Sequence, residues 1–139
     1  MPVNPEVEGR TYPATPTYSV SRTKIAEFAA AVGANDPVHT DVDHARSLGY
    51  ADVVAPPTFA VIIAQQAEGA AITDPEAGID FSRLVHGEES FTHHRPLVAG
   101  DEVIAATTVD RVRSAGGHSM VTLKTAITTV DGAAVCDVN

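Results

Sequence analysis

Apolar positions along this chain change their period about midway. In the first half, Ile25, Phe28, Ala29 and Val32 recur at helical spacing behind Ser21, a good N-cap, until Gly33 stops the run. Asp41 to Leu48 reads as a second, short helix ending at Gly49, and Tyr50 to Ala55 as a connecting segment containing Asp52. Pro56-Pro57-Thr58 then precedes Phe59 to Ala67, which is small or apolar on nearly every side, the pattern of a helix buried on most faces. The β-branched Ile62 and Ile63 leave a strand open on periodicity alone. The two prolines, a length of about three turns and the Ala-rich continuation favour a central helix.

From Phe81 onward the period becomes two. Phe81 to Arg95, Val103 to Val112, Met120 to Val130 and Ala133 to Val138 are predicted strands, separated by turn chemistry at Ala99-Gly100-Asp101, Ala115-Gly116-Gly117 and Asp131-Gly132. Val121, Leu123, Thr125, Ile127 and Thr129 mark one face of the third of these; Thr122, Lys124, Ala126, Thr128 and Val130 mark the other. Turn-linked neighbours imply antiparallel pairing. At the amino end, Pro2 to Pro16 is Pro-rich and reads as an extended arm or first edge strand, followed by a short β piece at Tyr18 to Val20. Helices early and strands late give an α+β domain spanning 1–139, with one long buried helix covered by a curved antiparallel sheet. The last strand stops at Asn139, which leaves either a truncated chain or an edge for a partner to finish.

Composition narrows the function classes. With 139 residues, 44% hydrophobic and 19% charged, the chain suits one soluble domain with one core. Its net charge of −9 and scattered basic residues argue against nucleic acid, because no Lys/Arg run exists to neutralise phosphates. The same charge opposes an acidic carrier protein or coenzyme A phosphates unless arginines such as Arg46, Arg83 and Arg95 gather on the surface. The longest apolar stretch, Phe59 to Ala64, is far below the ~20 residues of a membrane span, and no signal-peptide pattern opens the chain. A cytoplasmic location is expected. Cys136, the single cysteine, reads as a buried inert thiol.

Ala34-Asn35-Asp36-Pro37-Val38-His39-Thr40-Asp41 ends the first helical pattern and puts a carboxylate and an imidazole in one loop. It resembles the catalytic loop of MaoC-like (R)-specific hydratases and dehydratases, Asp-x-Asn-Pro-x-His-x-Asp, with Pro37 and His39 in place and Ala34 where that pattern has its first Asp. Ala55-Pro56-Pro57-Thr58-Phe59 is similar to the approach to the central helix in that family, and Arg95-Pro96-Leu97-Val98-Ala99-Gly100-Asp101 to its Arg-Pro-x-x-x-Gly-Asp turn. Val85-His86-Gly87-Glu88 resembles a segment of amino-terminal-type MaoC-like domains. The resemblance runs from about Gly9 to Asn139 and implies a hot-dog fold. It is strongest to short single-domain members, including the substrate-anchoring subunit of heterodimeric (3R)-hydroxyacyl-carrier-protein dehydratases in mycolic-acid precursor elongation. In such pairs, it implies, one subunit supplies the Asp and His while the other shapes the acyl channel.

The family's chemistry makes Ala34 consequential. Hydrating a 2,3-enoyl thioester needs a base for water, an acid for C2, and N–H donors aimed at the thioester oxygen as enolate charge develops. A methyl group cannot take a proton. His39 and Asp36 are the candidate catalytic residues, although an Asp before Pro also orders a loop by capping it. Pro57, Thr58 and Phe59 are candidates for substrate binding, the helix N-terminus around them being a source of oxyanion donors, and Thr58 is equally an acceptable cap. His86 and Gly87 join them as pocket lining.

The remaining motifs carry less. His93 and His94 are adjacent and would face opposite sides of a strand, and His44 lies outside any zinc spacing, so no metal is expected. His118 reads as a turn residue. With no Gly-rich phosphate loop and no Ser or Cys nucleophile motif, no cofactor is expected either. Three readings follow. One is a (3R)-hydroxyacyl-thioester dehydratase or enoyl-thioester hydratase subunit of fatty-acid metabolism, completed by a second hot-dog subunit. Another is an autonomous hydratase using His39 and Asp36, and the third a non-catalytic acyl-binding or assembly module. The ligand implied is an acyl thioester of coenzyme A or acyl carrier protein. The partner implied is a second MaoC-like subunit, in a homodimer or heterodimer.

Overall fold

The structure is a computed structural model that describes residues 3–139, so Pro2 of the expected arm lies outside the described residues. The rest of that arm makes one 3₁₀ turn at Pro5–Val7 and then runs along the outer edge of a long strand, where the amides of Gly9, Tyr12 and Thr15 donate to the carbonyls of Val109, Thr107 and Ala105. Strand β1 (Tyr18–Ser19) continues the line. Helix α1 (Arg22–Val32) follows, its first turn capped by the Ser21 hydroxyl, which accepts from the Lys24 amide. It ends at Gly33, whose φ of 73° is the left-handed conformation that closes a helix without a Cβ clash. Helix α2 (Val42–Ser47) is capped by Asp41.

Helix α3 (Ala60–Ile72) is the expected central helix. Ala60, Ile63, Ala64 and Ala67 face the sheet, and their small size lets the helix axis approach it closely. The sheet comprises β1, β2 (Phe91–His93), β3 (Glu102–Ala115), β4 (His118–Thr129) and β5 (Ala134–Val138), antiparallel in the order β1-β3-β4-β5-β2. The β3–β4 hairpin turns on Gly116 and Gly117, both at positive φ, the backbone required by its two-residue turn. Along β4 the alternation holds: Thr125 and Ile127 are buried while Lys124 and Ala126 are exposed. Val103, Ala105, Ile127, Val135, Cys136 and Val138 meet α3, Ile25 of α1 and Phe59 in the core. The ring of Phe59 packs edge to face with Phe28 at 5.5 Å between centroids. This is the hot-dog, α+β architecture.

Two expectations are corrected. The strand anticipated from Phe81 to Arg95 is confined to Phe91–His93, preceded by a 3₁₀ turn at Phe81–Arg83 and by residues 84–90 without regular structure. Residues 81–90 are exposed, and before Ser90, which exchanges backbone hydrogen bonds with Asn139, they pair with no strand; Phe81, Leu84 and His86 lie against α3 instead. The final strand is not an edge: β5 is paired on both sides, to β4 and β2, and the free edge on that side of the sheet belongs to β2. Among the described residues, no helix is long and apolar enough to cross a membrane.

Candidate functional site

Asp36 sets the geometry of the loop after α1. Its carboxylate accepts from the Val38 amide at 2.9 Å and caps the 3₁₀ turn Pro37–His39, which Pro37 starts with its fixed φ. The turn delivers His39 to a buried position, 8% exposed. There its Nδ1 lies 2.6 Å from the carbonyl oxygen of Val54. A carbonyl only accepts, so Nδ1 carries the proton and Nε2 is left with the lone pair. Val54 is fixed in turn, its amide donating to the Val38 carbonyl.

A second layer holds Val54 from the other side. Val54 bridges Val98, the Ala55 amide donates to Leu97, and the Ala99 amide donates to Val53. Arg95 anchors this strip by a bidentate pair with Asp101 at 2.9 and 3.2 Å, while Asp101 also accepts from the Val98 amide. The Arg-Pro-x-x-x-Gly-Asp turn is therefore a clamp closed on itself. Arg46 is likewise engaged, donating to the Ala51 carbonyl, and Arg22 grips Asp52, whose carboxyl that pairing holds below its ordinary range. Arg95 is thus committed to Asp101, while Arg46 spends only its Nε and stays exposed.

Between these layers opens a cavity of about 420 Å³. His39 forms one wall, Val54 to Pro57 a second, and His93 to Leu97 a third. His93 stacks on Phe91 with ring centroids 6.0 Å apart, and His94 pairs through Nε2 with Asp137 at 2.9 Å. Their partners lie on opposite sheet faces, His93 sitting across from Cys136 and His94 reaching Asp137, as their adjacency implied. The polar donors are imidazoles and a clamped guanidinium; among the described residues no carboxylate lines the space.

The structure thus brings together His39 and Pro57 and separates the other candidates. Asp36 is exposed and occupied by its cap, off the cavity lining. Thr58 is exposed and its hydroxyl makes no cap to α3, while Phe59 is wholly buried in the core, where its bulk is needed against Phe28 and α3. His86 lines a different cavity, on the face of α3 carrying Gln65 and Glu68, and Gly87 stands exposed beside it in sequence. Sequence reasoning missed His93 and Leu97 as walls. The Arg95 to Asp101 turn was the available signal, since a turn in that register lays its strand beside the approach to α3. Among the described residues no group of His, Cys, Asp and Glu is arranged to hold a metal ion.

Comparisons with known proteins agree with this geometry. The model of the FAS1-like dehydratase domain region matches residues 6–138. A UPF0336 protein of Clavibacter michiganensis subsp. michiganensis is 51% identical over 135 residues, covering 97% of this chain and 91% of that protein. A chain of the C-terminally truncated HadBC (3R)-hydroxyacyl-ACP dehydratase complex from Mycobacterium tuberculosis superposes with a TM-score of 0.83 at 28% identity, over 95% of this chain and 93% of that one. A MaoC-like dehydratase gives 0.86 at 31% identity, over 94% of this chain and 40% of the other. The family match spans nearly the whole chain and the fold superposes on MaoC-like dehydratases, and the chain belongs to the FAS1-like dehydratase region family of MaoC-like hot-dog proteins.

Proposed function

We propose that this chain is one subunit of a (3R)-hydroxyacyl-thioester dehydratase, or enoyl-thioester hydratase, of fatty-acid metabolism, and that a second MaoC-like subunit completes its active site in the cytoplasm. The observation that carries the reading is the cavity's uneven equipment. His39 offers Nε2, but position 34 is alanine and the Asp36 carboxylate is held by the Val38 amide.

Hydration requires a proton to leave water as its oxygen bonds C3, and a proton to arrive at C2 as the enolate collapses. His39 serves one transfer. Among the described residues no carboxylate lines the cavity, and the group for the other transfer comes from the partner. The substrate is an acyl thioester of coenzyme A or of acyl carrier protein, the latter being the carrier that the HadBC (3R)-hydroxyacyl-ACP dehydratase is named for. The autonomous reading through Asp36 is disfavoured by its cap.

The test is co-purification with the MaoC-like subunit of the same genome, followed by hydration of crotonyl-coenzyme A. The isolated chain should turn over slowly and the pair rapidly. Equal rates for chain and pair, or no pair at all, would overturn the proposal.

A further inference from the structure

A second cavity, of about 430 Å³, lies on the face of α3 that carries Gln65, Glu68 and Ile72, closed over by Phe81, Leu84 and His86. It shares no lining residue with the His39 cavity. Glu68 is its unusual member. The residue is 6% exposed, and among the described residues no donor hydrogen-bonds or ion-pairs with its carboxyl group. Every fully enclosed side-chain nitrogen or oxygen among the described residues does have a partner. The Glu68 oxygens therefore open onto the cavity.

A carboxyl sunk to 6% exposure is only partly hydrated, and a cation that reaches it through the cavity is favoured. Burial, then the nearby carboxylate of Glu89, push the Glu68 acid upward, with His86 acting the other way. Three of the chain's cations are committed elsewhere, Arg10 to Asp74 and Glu76, Arg22 to Asp52 and Arg95 to Asp101, and among the described residues no lysine or arginine forms an ion pair with Glu68. The segment that covers the cavity exposes apolar side chains, Phe81 of the lining at 72% and Val85, beside the lining Leu84 and His86 in sequence, at 84%, a patch of the kind that interfaces cover. The same segment runs directly into β2, the free edge of the sheet.

We propose that the Glu68 cavity is a socket for an arginine or lysine side chain of the apposed hot-dog subunit, its alkyl stem lying on Ile72, Phe81 and Leu84 and its cation meeting Glu68. The inference rests on the two-subunit reading above. Charge complementarity selects the occupant: a −9 chain with a carboxyl that no described residue hydrogen-bonds, beside the apolar surface of Ile72, Phe81 and Leu84, fits a cation on an apolar stem.

The socket is tested by titrating the full chain with n-butylguanidinium and with its neutral analogue n-butylurea, in wild type and in Glu68→Gln, and by measuring assembly of each chain with the MaoC-like subunit by sedimentation. The expected result is preference for the cation, with Glu68→Gln weakening both the probe and the pair by roughly tenfold or more. Equal binding of the two probes by wild type overturns the socket even if the variant fails to fold. So does a folded variant that binds the cation as tightly as wild type. A variant that loses the probe but pairs as well as wild type overturns the subunit side chain as occupant. Crotonyl-coenzyme A hydration by the wild-type pair is scored separately: a tight, Glu68-dependent pair without turnover sinks the dehydratase reading and leaves the socket standing.

Discussion

The Nδ1–H of His39 donates to the carbonyl of Val54 over 2.6 Å, which fixes the tautomer and leaves Nε2 as the one ring atom that takes a proton. That bond ties the imidazole to the strip leading into α3. Under the two-subunit reading, His39→Ala should lower kcat of the assembled pair by roughly 10²–10⁴-fold, the usual worth of a positioned acid–base group. Steady-state hydration of crotonyl-coenzyme A checks it. A rise in KM with kcat unchanged would make His39 an anchor and not a proton carrier.

The Arg95–Asp101 clamp holds the opposite wall of the same cavity. Asp101→Ala should cost about 1–3 kcal/mol of stability, because it frees a half-buried guanidinium and leaves the Val98 amide without its acceptor. Asp101→Asn should recover part of the loss by keeping an acceptor for Val98. Urea unfolding of the three proteins separates these outcomes.

What was legible in the sequence was local. Ser21 and Gly33 bracket α1, and Gly116-Gly117 sets the long hairpin, because a cap or a positive-φ turn needs only nearby residues. The period of two along β4 follows from one buried face. The family loop likewise pointed at His39. Residues 84–90 misled because apolar residues there look like a strand, yet the chain places them over α3 with no ladder, a choice made by tertiary packing. The same limit applies to Phe59 and His86. Which cavity a side chain meets depends on how far α3 carries it from the loop, and no short-range pattern encodes that.

Cys136 sits wholly buried between β2 and β4, and burial first, then Asp137, push its thiol up to about 11. A thiol in that state is not a nucleophile at neutral pH. The native protein should react with a thiol-specific disulfide reagent only at its unfolding rate, and stoichiometrically in denaturant. Fast labelling of the folded chain would contradict the packing of β5.

Glu68 makes stability depend on pH in an uncommon direction. Because its acid is raised in the folded chain, that state holds the proton more tightly than the unfolded one, so stability falls as pH climbs from the ordinary value of 4.5 through the raised one. Glu68→Gln removes this loss. The isolated variant should melt a few degrees above wild type at neutral pH. The gap should close below about pH 4, where both states of the wild type are protonated. Thermal melts across that range give the answer, and a variant that is less stable at pH 7 would mean the carboxylate has a partner within the chain.

Restoring the family carboxylate tests the cavity's missing half directly. Ala34 is half-buried five positions before His39, its amide donates to the Ala29 carbonyl at 2.8 Å, and among the described residues only glycines take positive φ, so aspartate fits its backbone without strain. If the loop is otherwise competent, Ala34→Asp should give the isolated chain hydratase activity roughly tenfold or more above its own background, and adding His39→Ala should abolish the gain, since the two groups act as one unit. The assay is enoyl-thioester hydration by the unpartnered protein, with circular dichroism to confirm folding. A folded Ala34→Asp chain with an unchanged rate would place the decisive deficit elsewhere in the cavity, and the partner would then be supplying more than a carboxylate.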